Sequence, residues 1–186
     1  YAAGLGTTGG GNVGIGNHVM KAGSGDAADN TAVGGSSLYA ITTGDKNTTL
    51  GQSTGEALTT TSNTVLIGYQ AGYAINSTDA NGTVAIGYQA GHDITSGKYN
   101  TAIGYLALDA EDDGDGNTAV GYQALTSQTG TSGIVGNTAV GYNAGQSITT
   151  AVQNVALGYA ALSGTTTGGA NIGIGYEAGK FNQTGT

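Results

Sequence analysis

The polar and apolar residues of this chain fall into one short pattern that keeps returning. A branched residue, a small residue and an aliphatic residue precede a glycine, as in Thr118-Ala119-Val120-Gly121 and Thr138-Ala139-Val140-Gly141. Aligned on that anchor glycine there are ten copies: Gly16, Gly34, Gly51, Gly68, Gly87, Gly104, Gly121, Gly141, Gly158 and Gly175. Their spacings are 18, 17, 17, 19, 17, 17, 20, 17 and 17 residues. The residue before each anchor is always aliphatic, and the residue three before it is only Val, Thr or Ile. Between them, eight of ten are Ala or Gly, the exceptions being Thr49 and Leu66. An alternation of period two predicts a short β-strand, because branched side chains suit a pleated surface. The pattern leaves open whether the small or the branched row faces inward.

Other columns keep the same phase. Asn stands four before the anchor at Asn12, Asn30, Asn47, Asn100, Asn117, Asn137, Asn154 and Asn171, and slips outward to Asn63 and Asn81 in two other copies. Asn tolerates a left-handed backbone and bonds nearby amides, so the column predicts a corner into the strand and a ladder of amides, each bonding the next coil. Anchors such as Gly104, Gly121 and Gly141 are expected to bend the chain or admit another backbone closely. Tyr follows the anchor in seven copies: Tyr69, Tyr88, Tyr105, Tyr122, Tyr142, Tyr159 and Tyr176. These are expected to stack as a ladder along one edge or against a neighbouring subunit. A second, less regular strand is expected in the remainder of each repeat, as at Ala40-Ile41-Thr42-Thr43 and Ser147-Ile148-Thr149-Thr150.

A unit of this size cannot bury its own apolar face, but a stack of such units can. The expected fold is therefore all-β: a parallel β-solenoid of about ten coils, forming a single repeat domain over residues 1–186. At about 4.8 Å per coil the rod is roughly 45–50 Å long. The extra residues of the three longer coils should leave it as outward loops. Residues 1–11 read as the end of a preceding coil, and 180–186 lead into whatever follows, so the chain reads as a fragment of a longer fibre protein.

Composition narrows the function. The chain has 37 glycines, no proline, cysteine or tryptophan, one Met and one Phe, and only 9% charged residues. Thin repetitive packing fits this better than a thick core, and the fixed phase of the apolar positions argues against disorder. With four lysines, no arginine and a net charge of −8, neutralising nucleic-acid phosphates is excluded, and contact with an anionic membrane surface is not expected. No apolar run reaches the length of a membrane span. The lack of cysteine excludes thiol chemistry.

The hexamer Asn117–Tyr122 resembles the Asn-x-Val-Ala-Ile-Gly coil motif of trimeric autotransporter adhesin heads, most nearly at Thr83-Val84-Ala85-Ile86-Gly87 and Asn154-Val155-Ala156-Leu157-Gly158. The Tyr-Gln-Ala-Gly variant at Tyr69–Gly72 and Tyr88–Gly91 is similar to repeats of phage tail-fibre-like proteins. The resemblance spans nearly the whole chain. It implies a left-handed parallel β-roll, a homotrimer, and an extracellular place at the outer end or shaft of a surface fibre. The coil here is longer than the usual adhesin-head repeat, which favours the fibre group.

Candidate chemistry is sparse. The run Asp109-Ala110-Glu111-Asp112-Asp113-Gly114-Asp115-Gly116 has alternating acids and a glycine at its sixth position, like a calcium loop, but Val120 stands where the bidentate Glu is needed. It is expected to be a solvated, self-repelling loop. The Tyr column could serve sugars as a stacking platform, against its reading as a ladder. Thr three before the anchor occurs only at Thr31, Thr48, Thr101, Thr118 and Thr138, which weakens an ice-binding array. His18 and His92 lie at different phases, so neither a metal pair nor a catalytic dyad is expected. Sequons fall at Asn47, Asn76, Asn81 and Asn182. No enzyme, no cofactor and no metal are expected. The first reading is a structural and adhesive fibre segment whose loops meet a host surface or glycan. The alternatives are a self-polymerising extracellular filament subunit, or an ice- or carbohydrate-binding solenoid. Specific recognition is expected in the irregular loops 109–116 and 126–136.

Overall fold

Each strand pairs with its equivalent one turn along the chain. The computed structural model describes residues 6–130 and 132–181. It is an all-β parallel solenoid of about nine turns with essentially no helix. Ten three-residue strands build one sheet: β1 (Val13–Ile15), β2 (Thr31–Val33), β3 (Thr48–Leu50), β4 (Val65–Ile67), β5 (Val84–Ile86), β6 (Thr101–Ile103), β8 (Thr118–Val120), β10 (Thr138–Val140), β11 (Val155–Leu157) and β12 (Ile172–Ile174). Two short strands, β7 (Gly114–Asp115) and β9 (Gly133–Ile134), pair separately. Register is exact by column: Ala102 faces Ala119, and Ala119 faces Ala139. The longer coils therefore leave the sheet in phase.

The small row faces inward. Ala32, Ala85, Ala102, Ala119, Ala139 and Ala156 are buried, whereas the branched residues on either side are half-buried or exposed. Strand alternation then puts every branched pair on the outer surface.

The rest of the coil is built from left-handed residues. The residues two and four past each anchor, and the residue five before it, have positive φ in all ten copies. No Val, Ile or Thr occupies any of these positions, as the steric cost of that region for branched side chains requires. This corrects two expectations. The left-handed residue at the corner precedes the Asn column, as at Tyr99 (φ 56°) before Asn100 and Gln153 (φ 60°) before Asn154. The expected second strand does not form: residues 40–43 and 147–150 are turns and bends. Left-handed Leu38 (φ 49°) and Gly145 (φ 59°) redirect the chain just upstream. The bends still bond to the next coil, with Thr42 N–H donating to Thr59 O at 2.8 Å and Thr149 N–H to Thr166 O at 3.0 Å.

Inside, a column of large residues lies seven past the anchor: Ile41, Leu58, Ile75, Ile94 and Ile148 are fully buried. Its size trades against the position four past the anchor. Gly55, Gly72, Gly91 and Gly145 accompany Leu58, Ile75, Ile94 and Ile148, while Leu108, Leu125 and Leu162 accompany Glu111, Gln128 and Thr165. A Cβ on Gly72 would lie 2.8 Å from Leu66 Cδ2 and 2.9 Å from Ile75 Cδ1, so that coil has no room for a larger residue beside Ile75; the Gly34 coil is the exception, with Leu38 and Ile41 both buried.

The 19-residue coil carries a 3-10 turn, Thr78–Ala80, capped by the Ser77 hydroxyl, which accepts from Asp79 N–H at 3.1 Å. The 20-residue coil carries β9, where Ile134 is 82% exposed.

Candidate functional site

The Asn column is an interior ladder. Asn117 N–H donates to Asn100 Oδ1 (2.8 Å), Asn137 N–H to Asn117 Oδ1 (3.1 Å), Asn154 N–H to Asn137 Oδ1 (2.8 Å) and Asn171 N–H to Asn154 Oδ1 (2.9 Å). The side-chain amides also reach carbonyls of the following coil, Asn100 Nδ2 to Gly114 O at 2.7 Å and Asn137 Nδ2 to Ala151 O at 2.6 Å. Asn100, Asn117, Asn137 and Asn154 are buried, so these bonds satisfy groups that water cannot reach. Thr64 and Thr83 take the place of Asn in two coils. Thr64 still bonds Asn47 Oδ1 through N–H (3.0 Å) and hydroxyl (2.8 Å), but Thr83 turns its hydroxyl to Ala80 O.

A second ladder, not foreseen from sequence, lies two residues before the Asn column and runs in the opposite direction. Asp45 Oδ1 accepts from Ala28 N–H, Ser62 Oγ from Asp45 N–H, Asn81 Oδ1 from Ser62 N–H and Asp115 Oδ1 from Lys98 N–H, at 2.7–2.9 Å. The displaced Asn81 is a member of it. The available signal was the recurrence of short acceptor side chains at that phase.

Tyr69, Tyr88, Tyr105, Tyr122, Tyr142, Tyr159 and Tyr176 stack in one column. Centroids are 4.8–5.4 Å apart and interplanar angles 4–17°. Each inner ring has both faces covered by its neighbours, so only ring edges meet solvent. A sugar needs a free aromatic face, and the inner rings of this column do not offer one.

The Tyr column borders the outer strand surface. The three outward columns, three before, one before and one after the anchors, contain no Asp, Glu, Lys, Arg or His in any of the ten copies of the repeat. Val13, Ile15, Leu50, Leu157, Ile172 and Ile174 are exposed there. An uncharged strip thus runs the length of the sheet on an otherwise acidic rod.

The acidic loop is not uniformly solvated as expected. Glu111 is fully buried and takes the place of the Ile column. Its Oε1 accepts from Asp112 N–H (3.0 Å) and Gly114 N–H (2.8 Å), and its Oε2 from Asn117 Nδ2 (3.2 Å). Burial pushes its carboxyl above the usual value, the two backbone bonds oppose that, and Asp113 and Asp112 add to it. Asp109 is also raised, first by burial, with His92 opposing and Asp93 adding. In the next coil Gln128 is buried too; its Oε1 accepts from Asn137 Nδ2 at 2.8 Å and its Nε2 has no partner. Of the acidic residues in this run Asp112 alone is exposed. Among the described residues no group of three or more His, Asp or Glu is placed to hold a metal ion.

His92 stacks on Tyr73 (5.1 Å, 5°), and its Nδ1 lies 2.6 Å from Asp93 Oδ1. His18 is far along the chain and lies 6.4 Å from Tyr39. Asn47 of the first sequon is buried, Asn76 is exposed, and Asn182 lies outside the described residues. No helix among the described residues is long and apolar enough to cross a membrane. Compared with known proteins, the chain matches no family model, no curated sequence and no solved structure at significance.

Proposed function

We propose that this chain is a structural and adhesive segment of an extracellular trimeric fibre, a tail fibre or similar surface appendage, wound left-handedly and presenting its irregular loops to a host surface or glycan. The observation that supports this reading is the uncharged strip. Ten coils at about 4.8 Å and strands of three residues at about 3.3 Å give a face of roughly 500–700 Å² once the Tyr column is included, near the roughly 800 Å² each partner contributes to a standard interface. A contiguous uncharged face of this size, with an aliphatic residue in every copy of the repeat, calls for a partner, and closed self-association is the commonest solution. The two amide ladders and the stacked tyrosines make a stiff rod, and parallel copies multiply weak loop contacts by avidity.

The reading is tested by placing charge on the strip. Ile103→Lys sits at its centre, where the side chain points outward and a lone monomer tolerates it. Size-exclusion chromatography with light scattering is expected to show a trimer for the parent chain and a monomer for the variant, with unchanged β circular dichroism. An identical mass for both removes the strip from any interface.

A further inference from the structure

Seven of the twelve acidic residues fall between Asp79 and Asp115, against one lysine, Lys98. That lysine is turned to Asp79, at 3.7 Å. On the side of the rod away from the strip, a groove of about 440 Å³ crosses these coils, lined by Ala74, Asp93, Thr95, Ala110, Asp112 and Thr129. The volume lies in the range of small-ligand sites. The lining comes from two columns, six and eight residues past the anchors. Its positions therefore repeat at the coil spacing of about 4.8 Å, reading Ala74, Asp93, Ala110 in one column and Thr95, Asp112, Thr129 in the other.

The backbone of the groove is already committed. Ala74 N–H donates to His92 O (3.0 Å), Asp93 N–H to Asp109 O (3.0 Å), Thr95 N–H to Asp112 O (2.9 Å) and Thr129 N–H to Thr149 O (3.1 Å). An extended peptide would find no free ladder to join. What remains is a floor of alanine methyls, the Thr129 hydroxyl, and two carboxylates. Asp93 faces His92 Nδ1, and Asp112 accepts from the Thr95 hydroxyl; among the described residues neither carboxylate is paired with a lysine.

We propose that this groove binds an extended oligosaccharide bearing free amino groups, laid along the rod axis. Separate pyranose rings offer apolar C–H faces to Ala74 and, two coils on, to Ala110, and hydroxyls to Thr129 and the carboxylates. The length of each ring is close to one coil, so successive units lie over successive coils, the carboxylates falling at Asp93 in one column and at Asp112 of the next coil in the other. Ammonium groups match the carboxylates at Asp93 and Asp112, and anionic sugars are repelled by them. The site deepens the adhesive reading above by naming a ligand class, but it uses a face distinct from the strip, so its failure leaves the trimer untouched and the reverse also holds.

The probe is the β-1,4-linked glucosamine tetramer, titrated calorimetrically into the full chain at pH 6 and low salt, beside its N-acetylated form, tetragalacturonate and tetralysine. Binding is expected for the glucosamine tetramer, at least ten-fold weaker for the N-acetylated form and undetectable for tetragalacturonate. Asp112→Asn is expected to weaken it about ten-fold, and Ala110→Leu, which fills the groove floor from the surface, to abolish it. Circular dichroism of each variant verifies the fold. Asp93→Asn supplies a second test of the charge should Ala110→Leu fail to fold. No heat from the glucosamine tetramer at millimolar concentration overturns the proposal. So does binding that is matched by tetralysine and indifferent to Ala110→Leu, which is attraction to acidic surface alone.

Discussion

The anchor glycines carry a close backbone approach that recurs coil after coil, and Gly121→Ala tests what that approach is worth. Gly121 has φ +133°, a region that L side chains rarely adopt. An added Cβ would lie 2.7 Å from the carbonyl carbon of Gly141 and closer still to its oxygen. Gly141 cannot retreat, because its N–H donates to Val120 O at 2.8 Å and the Gly158 carbonyl lies against it from the next coil, where a Cβ on Gly141 would meet Gly158 O. Backbone strain of about 1–3 kcal/mol and overpacking of about 1–3 kcal/mol together cost roughly 2–6 kcal/mol, a large share of the ~5–15 kcal/mol that holds a domain folded. Gly116→Ala is the control. Gly116 also has positive φ (+72°), but a Cβ there meets nothing within 4 Å, so only the left-handed penalty of ~1–2 kcal/mol applies. Urea unfolding followed by circular dichroism should show a much larger loss for Gly121→Ala. Equal losses for the two variants would refute the stacking argument.

Three further outcomes follow from the ladders and the buried acids. Asn137→Ala strips the acceptor from Asn154 N–H and the donor from Ala151 O and Gln128 Oε1, all buried, and should cost about 2–4 kcal/mol in urea unfolding. Tyr122→Ala breaks two stacked pairs, to Tyr105 and Tyr142, and should cost about 1–3 kcal/mol and reduce the near-ultraviolet dichroism, whereas Tyr122→Phe keeps the stack and should be close to neutral. Asp109 and Glu111 have folded-state values above their ordinary ones, 3.8 and 4.5. The folded chain therefore holds their protons more tightly than the unfolded chain. Their contribution to stability is fullest below the ordinary values and is lost as pH rises through the raised ones. Asp109→Asn should flatten that part of the pH–stability curve relative to the parent; a steeper fall in the variant contradicts the assigned direction.

Much of the architecture was legible because the repeat imposes a fixed phase on a few residue types. The three-residue strands, the Asn ladder and the stacked tyrosines each need one side chain at one position, and the chain shows that side chain again and again. The left-handed positions were hidden because what defines them is an exclusion. His18, Leu106, Gln123 and Glu177 share a backbone conformation and no chemistry; their common feature is the lack of β-branching. The expected second strand failed for the complementary reason. Ile148-Thr149-Thr150 has strand-like side chains, but left-handed Gly145 turns the chain first, and the lattice overrides local preference. Glu111 looked like part of a solvated acidic run because the Ile column was not recognised. Once Ile41, Leu58, Ile75, Ile94 and Ile148 are aligned, Glu111 and Gln128 stand in that interior column, and the Leu108 and Leu125 that accompany them explain where the missing volume went. The candidate groove was not legible at all, since its lining comes from two columns that look unrelated until the coils are stacked.

The fibre reading rests on the outer strip finding its partner in identical chains. Sedimentation equilibrium of the unmodified chain across a range of concentrations tests that most directly. The account predicts a single species of three times the 18.0 kDa chain mass. A stable species at 18.0 kDa at every concentration would contradict it.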